Sequence, residues 1–250
     1  MRVCGAMVFF VGAACVATPA PVPVLVHAPG RFLSAVSTRG TVTSTNWSGF
    51  ADQAGLYTDV HASWVQPAAS CTTAGHKYSS FWVGLDGYTS SSVEQIGTDS
   101  DCLKKNKPAY YGWFEMYPAP PVNLTGAVTP GDSLTADVSA NSTVFTLTLT
   151  DNTSGWTFST TQTSIAQPNS AEWVAEAPAM CGRSCRVLPL ANFGTVTFTN
   201  AGATGNLQPG TIAGFTNDAI TMATRRGLIK AQPSALSAAG DSFTDTWHHT

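Results

Sequence analysis

Val144-Phe-Thr-Leu-Thr-Leu-Thr-Asp151 runs into Asn152-Thr-Ser-Gly155 and then Trp156-Thr-Phe-Ser159, and this stretch decides the fold class. Phe145, Leu147 and Leu149 alternate with Thr146, Thr148 and Thr150; after the turn, Trp156 and Phe158 alternate with Thr157 and Ser159. Successive side chains of a strand point to opposite faces, so a period of two with the apolar residues on one parity marks a hairpin with one buried face. Leu134, Ala136 and Val138 alternate in the same way upstream, as do Val196 and Phe198 downstream. No segment shows a long 3.6-residue period free of Gly and Pro. The pattern predicts an all-β chain, an antiparallel β-sandwich or jelly roll, in which sheet faces and loops rather than helices carry function.

The length of 250 residues suits one such domain, with no internal repeat and no second domain. Charged residues make up 11% of the chain, less than half the roughly 25% usual for soluble proteins. Together with abundant Ser, Thr and Gly this suits an extracellular β protein, and few carboxylates limit the positive self-repulsion that develops in acid. Arg2 precedes an apolar run from Val3 to Val16, small residues and the Pro-rich stretch Pro19 to Pro23, which reads as an export signal over 1–17, cut after Ala17. The run is shorter than the about 20 apolar residues that cross a bilayer, so no stable membrane association is expected. Cys15 follows Gly12-Ala13-Ala14, a poor lipoprotein site because a glycine stands where an aliphatic residue is usual.

Residues 18–44, rich in Pro, Val, Ala and Ser, read as a linker or short propeptide, and 45–250 as the folded domain of a secreted monomer. The first 44 residues hold Arg2, Arg31 and Arg39 and no acidic group; removing them leaves 12 − 3 = 9 basic against 15 acidic side chains, a formal charge of −6. Nucleic acid is not expected as a partner.

Without the leader, Cys71, Cys102, Cys181 and Cys185 remain, an even set that reads as two disulfides in an exported chain. Cys181-Gly-Arg-Ser-Cys185 is a tight loop and the other two flank one continuous block, which favours Cys181–Cys185 with Cys71–Cys102. A zinc site is the rival, but one short spacing has no second to mirror it, and no metal is expected.

Several familiar sites drop out. Gly131-Asp-Ser-Leu134 matches a short esterase signature, yet it follows Pro130 and opens an alternating strand, so it reads as a turn. No Gly-x-Ser-x-Gly, His-Glu-x-x-His, Asp-Thr-Gly or Asp-Ser-Gly occurs. Of His27, His61, His76, His248 and His249, His27 is expected to leave with the N-terminal leader.

What remains is a set of polar groups among aromatics. In Tyr111-Gly-Trp-Phe-Glu-Met-Tyr117, alternation puts Tyr111, Trp113, Glu115 and Tyr117 on one face and Gly112, Phe114 and Met116 on the other. In Ala171-Glu-Trp-Val-Ala-Glu176, Glu172 shares a face with Val174 and Glu176, and the two carboxylates stand roughly 13 Å apart along the strand, too far to pair. A glycosidase needs its carboxyl groups about 5–9.5 Å apart, so Glu172 and Glu176 do not fit together, although Glu172 with Glu115 from another strand could. Gln95 lies in Ser90-Ser-Ser-Val-Glu-Gln-Ile-Gly-Thr98, sharing a face with Val93 and Gly97 opposite Glu94 and Ile96. Its amide cannot act as a base, but its oxygen can hold a water and its nitrogen can donate to an oxyanion.

Taken in order, Asn46-Trp-Ser-Gly49, Trp64-Val-Gln-Pro67, Trp82-Val-Gly-Leu-Asp-Gly87, the Gln95 segment, Trp113-Phe-Glu-Met-Tyr-Pro118 and Ala171-Glu-Trp-Val174 resemble the glutamic peptidases, or eqolisins, over Asn46 to about Phe215. The resemblance implies a concanavalin-like sandwich with a polypeptide substrate across its concave face. It matches Glu172 to the catalytic glutamate and Gln95 to the catalytic glutamine. Trp47, Trp113, Glu115 and Tyr117 match residues lining the cleft, and Asn46 borders it. It implies an acid endopeptidase with no cofactor. Met116 departs from the family's pattern, in which an aromatic is common there, and so does the short N-terminal stretch. Two other readings of the same face are a glycoside hydrolase using Glu115 and Glu172, and a lectin-like module stacking sugars on Trp113 and Tyr117.

Overall fold

The computed structural model describes residues 24–28, 32–34 and 41–250; the export signal proposed for 1–17 lies outside them. The alternation in the sequence becomes two large sheets packed face to face. One is built from β9 (Val122–Ala127), β8 (Lys107–Tyr117), β7 (Val93–Lys104), β6 (Ser80–Leu85), β13 (Ala171–Glu176), β4 (Trp47–Gln53) and β18 (Thr216–Ala223), neighbours in that order and all antiparallel. Beyond β18 lie β3 (Thr41–Ser44), which pairs with it in parallel, and β2 (Phe32–Ser34) on β3. β19 (Ile229–Pro233) and β20 (Phe243–Trp247) follow on the other side. β2 and β3 both lie within 18–44, the stretch read from the sequence as a linker or short propeptide.

The second sheet runs β12 (Trp156–Thr163), β11 (Val144–Asp151), β10 (Ser133–Asn141), β5 (Tyr57–Val65), β16 (Thr195–Gly205) and β17 (Gln208–Thr211). β16 belongs to both sheets: Thr195–Phe198 pairs with β20, and the strand then crosses an irregularity between Thr199 and Gly202 to pair with β5. A small third sheet joins β1 (Val24–Val26), β14 (Ala179–Cys181) and β15 (Cys185–Val187).

The hairpin that opened the sequence reading is β11–β12, with Leu149 opposite Phe158 and Asp151 opposite Trp156. Phe145, Leu147 and Leu149 are fully buried while the alternate threonines are not, and each such burial removes roughly 1.5–3 kcal/mol worth of apolar surface from water. They meet Trp173, Phe81, Val83 and Ile96 from the inner face of the first sheet, which forms the main core. Consequently the opposite parity of the first sheet faces away from that core, and the functional residues lie there. Disulfides join Cys71 to Cys102 and Cys181 to Cys185, the second closing the β14–β15 hairpin.

Candidate active site

The register of the first sheet lines up one row of side chains on its outer face. Glu172 of β13 is opposite Gly84 of β6, Gly84 is opposite Gln95 of β7, and Gln95 is opposite Glu115 of β8. At about 4.8 Å per strand, Glu172 and Gln95 stand roughly 10 Å apart at their Cα atoms. Between them is only hydrogen: a Cβ on Gly84 would lie 3.1 Å from the Cβ of Gln95 and 2.9 Å from the Trp82 ring. The two side chains therefore face each other across a gap that any larger residue at 84 would begin to fill.

Around this row is a tryptophan floor. Trp82 and Trp113 flank Gly97, which is paired with both, and a Cβ there would come within 2.5 Å of that of Trp82. Trp47 packs edge-on against Trp82 at 5.0 Å. Each ring nitrogen has an acceptor, as buried indoles require: Trp82 donates to Glu176 Oε2 at 2.9 Å, Trp113 to Asp99 Oδ1 at 2.6 Å and Trp47 to the carbonyl of Ala28 at 3.0 Å. The Tyr111 hydroxyl lies 2.9 Å from Asp99 Oδ2 and 2.8 Å from Asp101 Oδ2, with one proton to share between them.

Ala28 belongs to the N-terminal segment, which lies in this cleft. β1 adds to β14, and Val26 and Ala28 pack against Ala179, Tyr117 and the Cys181–Cys185 bridge. The His27 ring stacks on Trp113, with centroids 3.4 Å apart and planes within 1°. Its Nδ1 is 3.2 Å from Glu115 Oε2 and its Nε2 is 3.4 Å from Asp99 Oδ1. The His27 backbone N–H donates to Glu115 Oε2 at 2.8 Å. Gln95 Nε2 donates to the His27 carbonyl at 2.6 Å and to Glu115 Oε2 at 3.2 Å. Asn46 Nδ2 donates to the Ala28 carbonyl at 3.1 Å and reaches Glu176 Oε1 at 3.4 Å.

Burial dominates the electrostatics. Eleven of the fifteen carboxylates are buried, so their charged forms lose water. Glu172 is pushed well above the usual glutamate range, chiefly by burial and then by neighbouring Asp86 and Asp52; the Ser170 side chain and the Tyr88 backbone pull it partly back. Glu176 rises to about 8, again mainly by burial. Glu115 rises for the same reason, offset by His27. Burial alone would lower the His27 imidazole, but Asp99 and Glu115 outweigh it and lift it to about 10, so the ring is a cation through the acid and neutral range. Among the described residues, both oxygens of Glu172 and Oε1 of Gln95 lack a hydrogen bond of ordinary geometry.

The structure thus brings together Glu172, Gln95, Glu115, Trp113, Trp47, Asn46 and Tyr117. The faces expected for Glu172, Val174 and Glu176, and for Tyr111 through Tyr117, are those seen. Glu115 and Glu172 are separated by three strand spacings, roughly 14 Å at the Cα atoms, with Gln95 between them and Glu115 engaged by His27. Nothing in that arrangement suggests the paired carboxylates of a glycosidase. Sequence reasoning missed His27, expected to leave with the leader, and stopped short of Asp99, which the period-two run of Val93, Gln95 and Gly97 reaches two residues later. One ligand-type cluster among the described residues, Asp59, His61 and Asp137, sits on β5 and β10 of the other sheet, away from the cleft. No helix among the described residues is long and apolar enough to cross a membrane.

The family model described as the Peptidase A4 family matches residues 45–238. Aspergillopepsin-2 of Aspergillus niger is 28% identical over 250 residues, covering 88% of this chain and 85% of that protein. Scytalido-glutamic peptidase, solved with a transition state analog inhibitor, superposes with a TM-score of 0.71 at 23% identity, covering 82% of this chain and 98% of that one. SCP-B, an eqolisin solved with the tripeptide Ala-Ile-His, superposes with a TM-score of 0.69 at 21% identity and the same coverage. The chain belongs to the Peptidase A4 family, the glutamic-type endopeptidases known as eqolisins.

Proposed function

We propose that the chain is a secreted endopeptidase in which Glu172 and Gln95 act together on one water molecule, without metal or covalent intermediate. The observation that carries this is the division of labour within the Gln95 amide. Its nitrogen already donates to a peptide carbonyl, that of His27, while its oxygen and the carboxylate of Glu172 remain as two acceptors across the Gly84 gap. A water has two hydrogens to give, and a substrate carbonyl held by Gln95 Nε2 stands where the oxyanion develops. Glu172 takes a proton from the attacking water and passes it to the leaving nitrogen, while Gln95 bears the negative charge on the carbonyl oxygen.

A glutamate of ordinary pKa, about 4.3, works best as a base close to that pH. Burial raises Glu172 above that, so the ionised base grows in as pH rises from strong acid, and the acid limb of the activity profile belongs above the reference value. Polypeptides are the substrates, and the domain acts as a monomer outside the cell, where its two disulfides persist.

A pH profile of casein digestion, with and without a statine-type inhibitor and a chelator, tests the class. Acid activity insensitive to both is expected. Loss of activity on adding either reagent would contradict the assignment.

A further inference from the structure

The structure assigns the His27–Ala28 peptide bond as a substrate of the chain's own cleft, with Trp113, Asp99 and Glu115 forming the pocket that selects a histidine or other cationic residue on the N-terminal side of the cut. This rests on the reading of Gln95 and Glu172 as the catalytic pair.

The segment is held as a substrate is held. Val24–Val26 adds as an antiparallel strand to β14, the usual way an extended peptide docks on a sheet edge, with main-chain bonds giving grip and side-chain pockets giving choice. From Val26 onward the main chain passes into the catalytic row. The His27 N–H is fixed by Glu115, the His27 carbonyl by Gln95, and the next carbonyl, of Ala28, by Asn46 and Trp47. Of these carbonyls, the one on Gln95 Nε2 is that of His27, which makes the bond to Ala28 the one presented for attack. Among the described side chains of the segment, that of His27 is the one that meets charge. It lies flat on Trp113 between two carboxylates, a geometry that rewards a cation through both ring face and ion pairing. The imidazole is charged throughout the acid range. Small Ala28 follows, against Ala179 and Tyr117.

Cleavage balances as simple hydrolysis. The water oxygen bonds to the His27 carbonyl carbon, and the oxyanion forms at Gln95. The bond from that carbon to the Ala28 nitrogen then breaks as Glu172 delivers its proton there. The products are a chain ending in the His27 carboxyl group and one beginning with the Ala28 amine.

The test uses the full exported chain, transferred through a series of buffers from pH 6 down to pH 3, with intact mass and N-terminal sequencing as the readout and casein digestion followed in parallel. A new N-terminus at Ala28 is expected in the parent and not in Glu172→Gln. His27→Lys should keep that cut, and His27→Leu should slow it roughly tenfold or more. A synthetic peptide spanning residues 21–32, given to the acid-treated enzyme, should be cut between its histidine and alanine. If casein is digested but the chain matures elsewhere, or if the peptide inhibits without being cut, the assignment of His27–Ala28 is overturned and the peptidase reading stands. If casein is not digested by any form, the peptidase reading itself fails and takes this one with it.

Discussion

Asp245 offers a measurable consequence of burying so many carboxylates. It lies on β20, fully buried, paired in register with Val196 and Pro233, and its Oδ1 accepts from the Ser48 hydroxyl. Burial lifts it from 3.8 to about 7, with Ser48 pulling the other way. Because the folded-state pKa is above the unfolded one, the native state binds the extra proton between those values. Stability is fully present below about pH 4 and falls as pH rises toward 7, by about 1.4 kcal/mol per pH unit for one group. By pH 6 the ionisable Asp245 therefore costs about 3 kcal/mol relative to a neutral residue of the same shape. Asp245→Asn supplies that residue and keeps an oxygen for Ser48. Urea unfolding followed by tryptophan fluorescence at pH 4 and pH 6 measures the difference. The variant should gain about 3 kcal/mol on the parent between the two conditions. Equal differences at pH 4 and pH 6 would refute the reasoning. Glu94 and Glu176, raised mainly by burial to about 7 and about 8, add to the same slope. The fold is therefore expected to lose stability as pH rises from acid toward neutral.

Two further outcomes follow from the row across the cleft. Gly84→Ala places a methyl group 3.1 Å from the Gln95 Cβ and 2.9 Å from the buried Trp82 ring, so kcat on a peptide substrate should fall at least roughly tenfold and the urea midpoint should drop as well; unchanged kcat in the folded variant would show that the gap is not used. Asp86→Asn removes a negative neighbour that raises Glu172, and asparagine tolerates the positive φ of 71° at that position. The acid limb of kcat/KM should therefore move to lower pH, and a limb that stays or rises would exclude Glu172 as its source.

The sandwich was legible because apolar residues alternate with polar ones in β10 and β11, and the one-faced burial they imply is what the packing delivers. The polar faces of β8 and β13 were legible for the same reason, since strand parity alone sorts Glu115 from Phe114 and Glu172 from Trp173. Parity says nothing about which strands become neighbours. That Glu172 meets Gln95 depends on β6 threading between β13 and β7 with a glycine at the crossing point, and local sequence carries no trace of such long-range register. His27 was illegible for a different reason. A lone histidine in a Pro- and Val-rich stretch has no periodic context, and its meaning comes from Trp113, Asp99 and Glu115, roughly 70–90 residues away. The pKa of Glu172 could not be read either, because desolvation is a property of the assembled cleft.

The central claim is that Glu172 and Gln95 work as one unit. Steady-state digestion of a quenched peptide by Glu172→Gln and Gln95→Ala, purified as matured enzyme with circular dichroism matching the parent, tests it most directly. Each single variant should lower kcat/KM by about 10²-fold or more, and the double variant should be scarcely worse than the worse single one, as happens when residues act together. Near-parental turnover by either folded variant, or losses that simply multiply in the double variant, would contradict the account.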